Sequence, residues 1–197
     1  MSGEPGRDGG GETVDDVLIV QVAAGNAAAF EALARRHMRR VVAVAQGVVG
    51  NPSDADEIAQ EAFMRVWEFA DRWTPGRARF TTWLHRIVLN LAIDRCRKPQ
   101  WIALDAAGEI ADDRDPPAHD RLARRERRDA VELAMETIPP RQRAAVTLFY
   151  FEGLSGKAAA EALGISTAAF EQLLLRARRS IREELQAGGF DFQEGPL

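Results

Sequence analysis

Apolar residues along this chain recur at the three-to-four spacing of an α-helix, and the pattern is most regular near the C-terminus. One stripe of the last predicted helix consists of Phe170, Leu174, Ala177, Ile181 and Leu185. From Thr13 onward, no stretch of sequence alternates apolar and polar residues with the period of two that a β-strand requires. The pattern therefore predicts an all-α protein.

Glycine, asparagine and proline divide the first half of the chain into helices. Breaks fall at Gly25 with Asn26, and again at Thr74 to Gly76, while Pro99 ends the fourth helix. A further break at residues 50–52 precedes Ser53, which we expect to cap the third helix. The four predicted helices span residues 14–24, 27–49, 53–72 and 81–98.

The composition changes at residues 99–120, where acids, prolines and glycines replace the apolar pattern. Beyond this segment we expect a helix from Arg121 to Thr137, a break at two prolines, and a helix to about Glu152. The predicted fold is two small helical domains joined by an acidic flexible linker. The expected boundaries are a disordered tail at 1–12, domains at 13–98 and 121–187, a linker at 99–120, and a tail at 188–197.

The segment from Leu154 to Arg182 has the layout of a helix-turn-helix. Ala160 is small where the two helices approach, Gly164 suits the left-handed turn, and Ser166 can cap the second helix. Such a motif presents its second helix to the major groove of DNA. An ordinary helical hairpin is the alternative interpretation.

Two charged segments of the first domain can bind partners. Residues 75–98 hold seven Lys, Arg or His residues against one acid, with Phe80 and Trp83 among them. Cations beside aromatic rings suit single-stranded nucleic acid, although both rings can equally be core residues. On the third helix, Asp54, Glu57, Glu61 and Glu68 share one face, which is either solvated or a docking surface for a basic partner.

Composition excludes several classes of function. The net charge is −4, but basic and acidic residues are clustered, so a nucleic-acid surface remains possible. The single cysteine excludes an intrachain disulfide, and no apolar run reaches the length of a membrane span or a secretory signal. We expect a cytoplasmic protein that is not an enzyme, with no catalytic residues, bound metal or cofactor.

In order along the chain, four runs resemble an extracytoplasmic-function (ECF) RNA polymerase sigma factor. The runs are AFEALARRHMRRVVAVA, NPSDADEIAQEAFMRVWE, FTTWLHRIVLNLAIDRCR, and IPPRQRAAVTLFYFEGLSGKAAAEALGIS followed by LLLRARRSIREEL. The resemblance extends from about Asp16 to Gln186 and implies a promoter-specifying subunit of bacterial RNA polymerase. The partners it implies are the clamp helices of the largest polymerase subunit, promoter DNA and an anti-sigma factor.

The resemblance also assigns roles to residues. The implied polymerase-binding residues are Asp54, Glu57, Gln60 and Glu61. The residues implied to contact the melted downstream promoter element are Arg86, Asn90, Arg95, Arg97 and Lys98. The residues implied to contact the upstream element are Thr167, Ala168, Ala169, Glu171, Gln172, Arg176 and Arg178.

The chain departs from the family pattern at Glu171 and Leu173, where basic residues are common. Glutamate can accept a hydrogen bond from cytosine and leucine can contact a thymine methyl, but attraction to phosphate is weaker. Two alternatives therefore stay open. One is a sigma mimic that sequesters an anti-sigma factor without binding DNA, and the other is a stand-alone helix-turn-helix regulator.

Overall fold

The computed structural model describes residues 9–97 and 118–189, and within them the protein is all-α, as predicted. The helices are α1 (Gly9–Ala23), α2 (Ala27–Val49), α3 (Pro52–Glu68), α4 (Phe80–Arg97), α5 (Ala118–Thr137), α6 (Pro140–Val146), α7 (Gly156–Leu163) and α8 (Thr167–Ala187). A 3-10 turn, Ala70–Arg72, follows α3, and a π-helical turn, Thr147–Phe151, continues α6. Most of the predicted linker and of both predicted tails lies outside the described residues.

Most helix boundaries agree with the sequence pattern to within a few residues, with four differences. Helix α3 ends at Glu68 and not at the predicted Arg72, and α5 begins at Ala118, inside the predicted linker. Helix α1 begins at Gly9, within the segment that we expected to be a tail. Helix α3 is capped by Asn51, and not by Ser53, because the Asn51 side chain accepts hydrogen bonds from the backbone N–H groups of Ser53 (2.8 Å) and Asp54 (3.2 Å). Pro52 suits the first helical position because its missing N–H has no helical partner there.

The first four helices form one core centred on α2. Leu33, Val41, Val44 and Val48 of α2 are buried against α3 and α4. Burial of branched aliphatic side chains on one stripe is the main favourable contribution to such a fold. This core fixes the orientation of α3 and α4, the helices that carry the charged segments.

A buried acid fixes α1 on α2. Asp15 is only 3% exposed, and its Oδ2 lies 2.8 Å from Nε2 of His37, while Arg36 donates to Oδ1 of the same carboxylate. Burial lowers the pKa of His37 below its ordinary value, although the Asp15 carboxylate acts in the opposite direction. The carboxylate therefore has two partners on the neighbouring helix in place of water.

The second half is built around α8. Its five predicted core residues are all buried, which confirms the stripe identified in the sequence. Gly164 takes the left-handed conformation (φ +66°) between α7 and α8, and Ser166 Oγ accepts a hydrogen bond from the N–H of Ala169 at 3.2 Å. Helices α7 and α8 thus form the predicted helix-turn-helix.

The two halves pack against each other through α2 and α4 of the first and α6 and α7 of the second. Gly47 permits the closest approach, because a β-carbon there would lie 2.6 Å from Oγ1 of Thr147. The buried carboxylate of Glu152 pairs with Arg40 and lies 3.6 Å from Nε2 of His85. Burial favours a raised pKa for Glu152, but His85 and Arg40 outweigh it and hold the pKa below the ordinary value.

Candidate functional site

The acidic face of α3 is open to solvent. Glu57, Gln60 and Glu61 are exposed because Ile58, Ala59 and Ala62 occupy the opposite, buried side of the helix. The Glu61 carboxylate accepts a hydrogen bond from Nη2 of Arg65, one turn later, at 2.7 Å. Asp54 is half-buried at the start of the helix. Three of the four residues predicted for polymerase contact are therefore displayed together.

Two apolar side chains extend this face, and our sequence analysis did not identify them as site residues. Met64 is 68% exposed and Trp67 is 44% exposed, with the Trp67 ring packed edge-on against Phe30 at a centroid distance of 5.3 Å. Met64 and Trp67 follow Gln60 at helical spacing, so they lie on the same face of α3. This spacing is the sequence signal that could have identified them. Large exposed apolar groups beside acids are typical of a protein-binding surface.

The basic segment of α4 divides into exposed cations and buried rings. Arg86, Asn90 and Arg97 are exposed, and Arg97 lies 3.7 Å from Oδ1 of Asp94. Phe80 is buried in the core, which excludes it from base stacking in this conformation. Trp83 is half-buried, with its ring centroid 6.1 Å from that of Phe80. Lys98 lies outside the described residues.

Arg95 connects the two predicted surfaces of the first half. Its Nη1 lies 3.1 Å from Oδ1 of Asp54, and its Nη2 donates to Oε2 of Glu57. The hydrogen bond to Glu57 is the main reason that the pKa of Arg95 is raised above its ordinary value. A cation predicted for DNA is thus paired with two acids predicted for polymerase.

Arg86 lies where the two halves meet. A β-carbon built on Gly164, the turn of the helix-turn-helix, would be 3.5 Å from Nη2 of Arg86. The neighbouring His85 is buried and lies near Glu152 of the second half. One predicted downstream-element residue therefore lies beside the turn of the predicted upstream-element motif.

The start of α8 presents a solvated surface. Thr167, Ala168, Ala169, Glu171 and Gln172 are all exposed. Nε of Arg176 donates to the backbone oxygen of Gln172 at 3.2 Å, while Arg178 is half-buried. The start of α8 is therefore an accessible part of the motif.

Leu173 is partly covered by the core of the second half. It is half-buried and packs against the hydrophobic core, so it supports the helix and does not lie on its open face. Glu171 is exposed. Of the two departures from the family pattern, Glu171 is the more exposed.

The fold and its surfaces define a two-part, all-helical protein with a helix-turn-helix in the second part. Residues 33–102 match the family described as Sigma-70 region 2, and residues 128–181 match Sigma-70, region 4. No group of three or more His, Cys, Asp or Glu in the described part of the chain is arranged to hold a metal ion. In the same residues, no helix is long and apolar enough to cross a membrane.

Curated relatives specify the family further. The chain is 32% identical over 185 residues to the ECF RNA polymerase sigma factor SigE of Mycolicibacterium smegmatis, covering 92% of this chain and 70% of the relative. It is 33% identical over 173 residues to the ECF RNA polymerase sigma factor SigM of Mycobacterium tuberculosis, covering 88% and 85%. This chain belongs to the ECF family of RNA polymerase sigma factors, the subunits that direct the polymerase to promoters.

Solved structures share the fold. One is CnrH in complex with the cytosolic domain of CnrY, with a TM-score of 0.63, 27% identity, and coverage of 88% of this chain and 98% of that one. Another is the sigma factor RpoE of Bartonella quintana in complex with the anti-sigma factor NepR, with a TM-score of 0.62, 18% identity, and coverage of 80% and 96%. The second likeness concerns the fold alone.

Proposed function

We propose that three surfaces of this sigma factor divide the work of promoter recognition. The exposed face of α3, with Asp54 at its start and Glu57, Gln60 and Glu61 along it, binds the core polymerase. The cations of α4 contact the melted downstream element, and the first turn of α8 reads the upstream element as duplex. The observation that carries this proposal is the display of acids beside exposed Met64 and Trp67 on α3.

Control by an anti-sigma factor is part of the proposal. CnrH, which shares 27% identity with this chain over nearly its full length, was solved bound to the cytosolic domain of CnrY. We propose that a comparable partner holds this sigma factor inactive, and that the protein acts in the cytoplasm, where it meets the polymerase.

Transcription with purified core polymerase tests the proposal directly. Core enzyme, with and without the purified chain, is supplied with a fragment library of the source genome, and the transcripts are sequenced. We expect transcripts with shared start sites only when the chain is present. No such transcripts, together with site-specific duplex binding in the absence of polymerase, would instead support a stand-alone regulator.

Reversing the charge of Glu61 is expected to weaken polymerase binding. Glu61→Lys places a cation on the proposed docking face, and the expected loss of core affinity is about tenfold, equal to about 1.4 kcal/mol. Binding of labelled variants to core polymerase measures this change. Glu31→Lys is the control because Glu31 is also exposed and also pairs one turn along its own helix, with Arg35. Equal affinity of both variants would remove Glu61 from the docking surface.

Changing Glu171 to arginine is expected to strengthen binding to duplex DNA. The exposed position lies near the first turn of α8, and one added phosphate contact steepens the dependence of log K on log salt by roughly 0.9. Titration of the upstream element at several salt concentrations measures the slope. Glu184→Arg is the control because it lies about 20 Å further along the same helix. A slope that rises equally in both variants would place the DNA elsewhere.

A further inference from the structure

The ion pairs of Arg95 join two surfaces that have separate proposed tasks. Arg95 lies in the last turn of α4, and both of its acidic partners, Asp54 and Glu57, lie in the first two turns of α3. Thirty-eight residues separate Arg95 from Glu57 along the chain, so only the packing of α3 on α4 brings them together. The guanidinium therefore donates to these two carboxylates. The same N–H groups could otherwise contact a phosphate.

Acids outnumber cations among the three groups that form these pairs. Two carboxylates surround one guanidinium, so the cluster of Asp54, Glu57 and Arg95 carries a net charge of about −1 at neutral pH. Nearby on α4, the ion pair of Arg97 with Asp94 is neutral. A phosphate that approaches Arg95 thus meets Glu57, whose side chain is 61% exposed.

Exchange of the Glu57 partner requires little free energy. Solvated ion pairs contribute about 0–1 kcal/mol, and Glu57 is 61% exposed, whereas Asp54 is 17% exposed and holds Arg95 more firmly. A cationic protein surface that binds the α3 face brings its own Lys or Arg groups to the same carboxylates. The Arg95 guanidinium is then free to turn to another anion.

We propose that Asp54 and Glu57 are positioning residues that hold Arg95 away from DNA until the polymerase takes their carboxylates. This inference rests on the proposed function, because it needs α3 to bind polymerase and α4 to bind melted DNA. It makes the two binding events cooperative, and linkage requires that DNA strengthens polymerase binding by the same factor.

Removing one carboxylate tests the exchange. Glu57→Gln keeps the size of the side chain but not its charge, and we expect it to bind a fluorescein-labelled single-stranded oligonucleotide about fivefold more tightly than wild type without polymerase. Fluorescence anisotropy at low salt measures the dissociation constants. Glu31→Gln is a matched control, because Glu31 is 66% exposed and pairs with Arg35 on α2. A gain of equal size in Glu31→Gln would reflect net charge alone and overturn the proposal.

A double variant tests whether Arg95 is responsible for the gain in affinity for single-stranded DNA. Adding Arg95→Ala to Glu57→Gln should return the affinity to the wild-type level or below, and a gain that persists without Arg95 would overturn the exchange.

The transcription assay on wild-type protein distinguishes failure of the proposed function from failure of the Arg95 exchange. Promoter-dependent transcripts with no gain in Glu57→Gln leave the proposed function standing and reject the exchange. Absence of transcripts rejects the proposed function, and the exchange with it.

Discussion

Replacing Gly47 by valine is expected to separate the two halves of the molecule. A β-carbon at this position would lie 2.6 Å from Oγ1 and 2.9 Å from Cγ2 of Thr147, and the γ-methyl groups of valine add further overlap. Overpacking of this kind costs about 1–3 kcal/mol. Because valine has a higher helix propensity than glycine, α2 itself is not weakened. The strain therefore falls on the contact between α2 and the π-helical turn.

The only cysteine of the chain reports on this separation. Cys96 is half-buried, its Sγ lies 4.0 Å from Nη2 of Arg143 on α6, and burial raises the pKa of its thiol. Opening of the interface uncovers the thiol, and we expect its reaction with a disulfide reagent at pH 8 to accelerate at least about tenfold, the factor that corresponds to ~1.4 kcal/mol. A rate equal to that of wild type would mean that the halves stay closed.

A compensating pair of substitutions controls for local damage. Gly47→Ala combined with Thr147→Ala removes the two overlapping atoms of Thr147, and the added β-carbon then lies 3.4 Å from the β-carbon of residue 147. This double variant should react at nearly the wild-type rate, whereas Gly47→Ala alone should be faster. Fast reaction in the double variant would show that residue 47 affects Cys96 by another route.

Replacing Asp15 by alanine is expected to destabilise the first half strongly. The substitution removes the buried acceptor that His37 and Arg36 share, and a hydrogen bond to a charged group contributes about 1.5–3 kcal/mol. Because Arg36 is partly solvated and can turn to water, we place the expected loss at about 3 kcal/mol. Urea unfolding followed by circular dichroism measures the change in the free energy of unfolding.

Two further variants interpret the result for Asp15. Asp15→Asn keeps a hydrogen-bonding side chain toward His37 and should lose less stability than Asp15→Ala, because only the charge is removed. Asp56→Ala removes an exposed acid of α3 and should change stability by no more than about 0.5 kcal/mol. A loss of that small size for Asp15→Ala would mean that the cluster contributes little to the attachment of α1.

The candidate surfaces differ in how far the sequence predicted them. The exposed face of α3 and the first turn of α8 follow from helical spacing, because neighbours at three or four residues share a face in any helix. The pairing of Arg95 with Asp54 and Glu57 could not be predicted this way, since it depends on how α3 packs against α4. The burial of Phe80 was undecided for the same reason, and the packing of Leu173 on the core was not anticipated.

The amino-acid sequence by itself determined the helices, most of their ends and the helix-turn-helix, because propensity, capping and periodicity act over a few residues. Only the tertiary structure decided that Glu152 joins Arg40 and His85 across the two halves, and that Arg95 is held by acids of another surface. These contacts join residues that are far apart in the chain. No local sequence pattern predicts which of such residues come into contact. Local interactions therefore define the elements of this sigma factor, and their packing decides which charges are available to its partners.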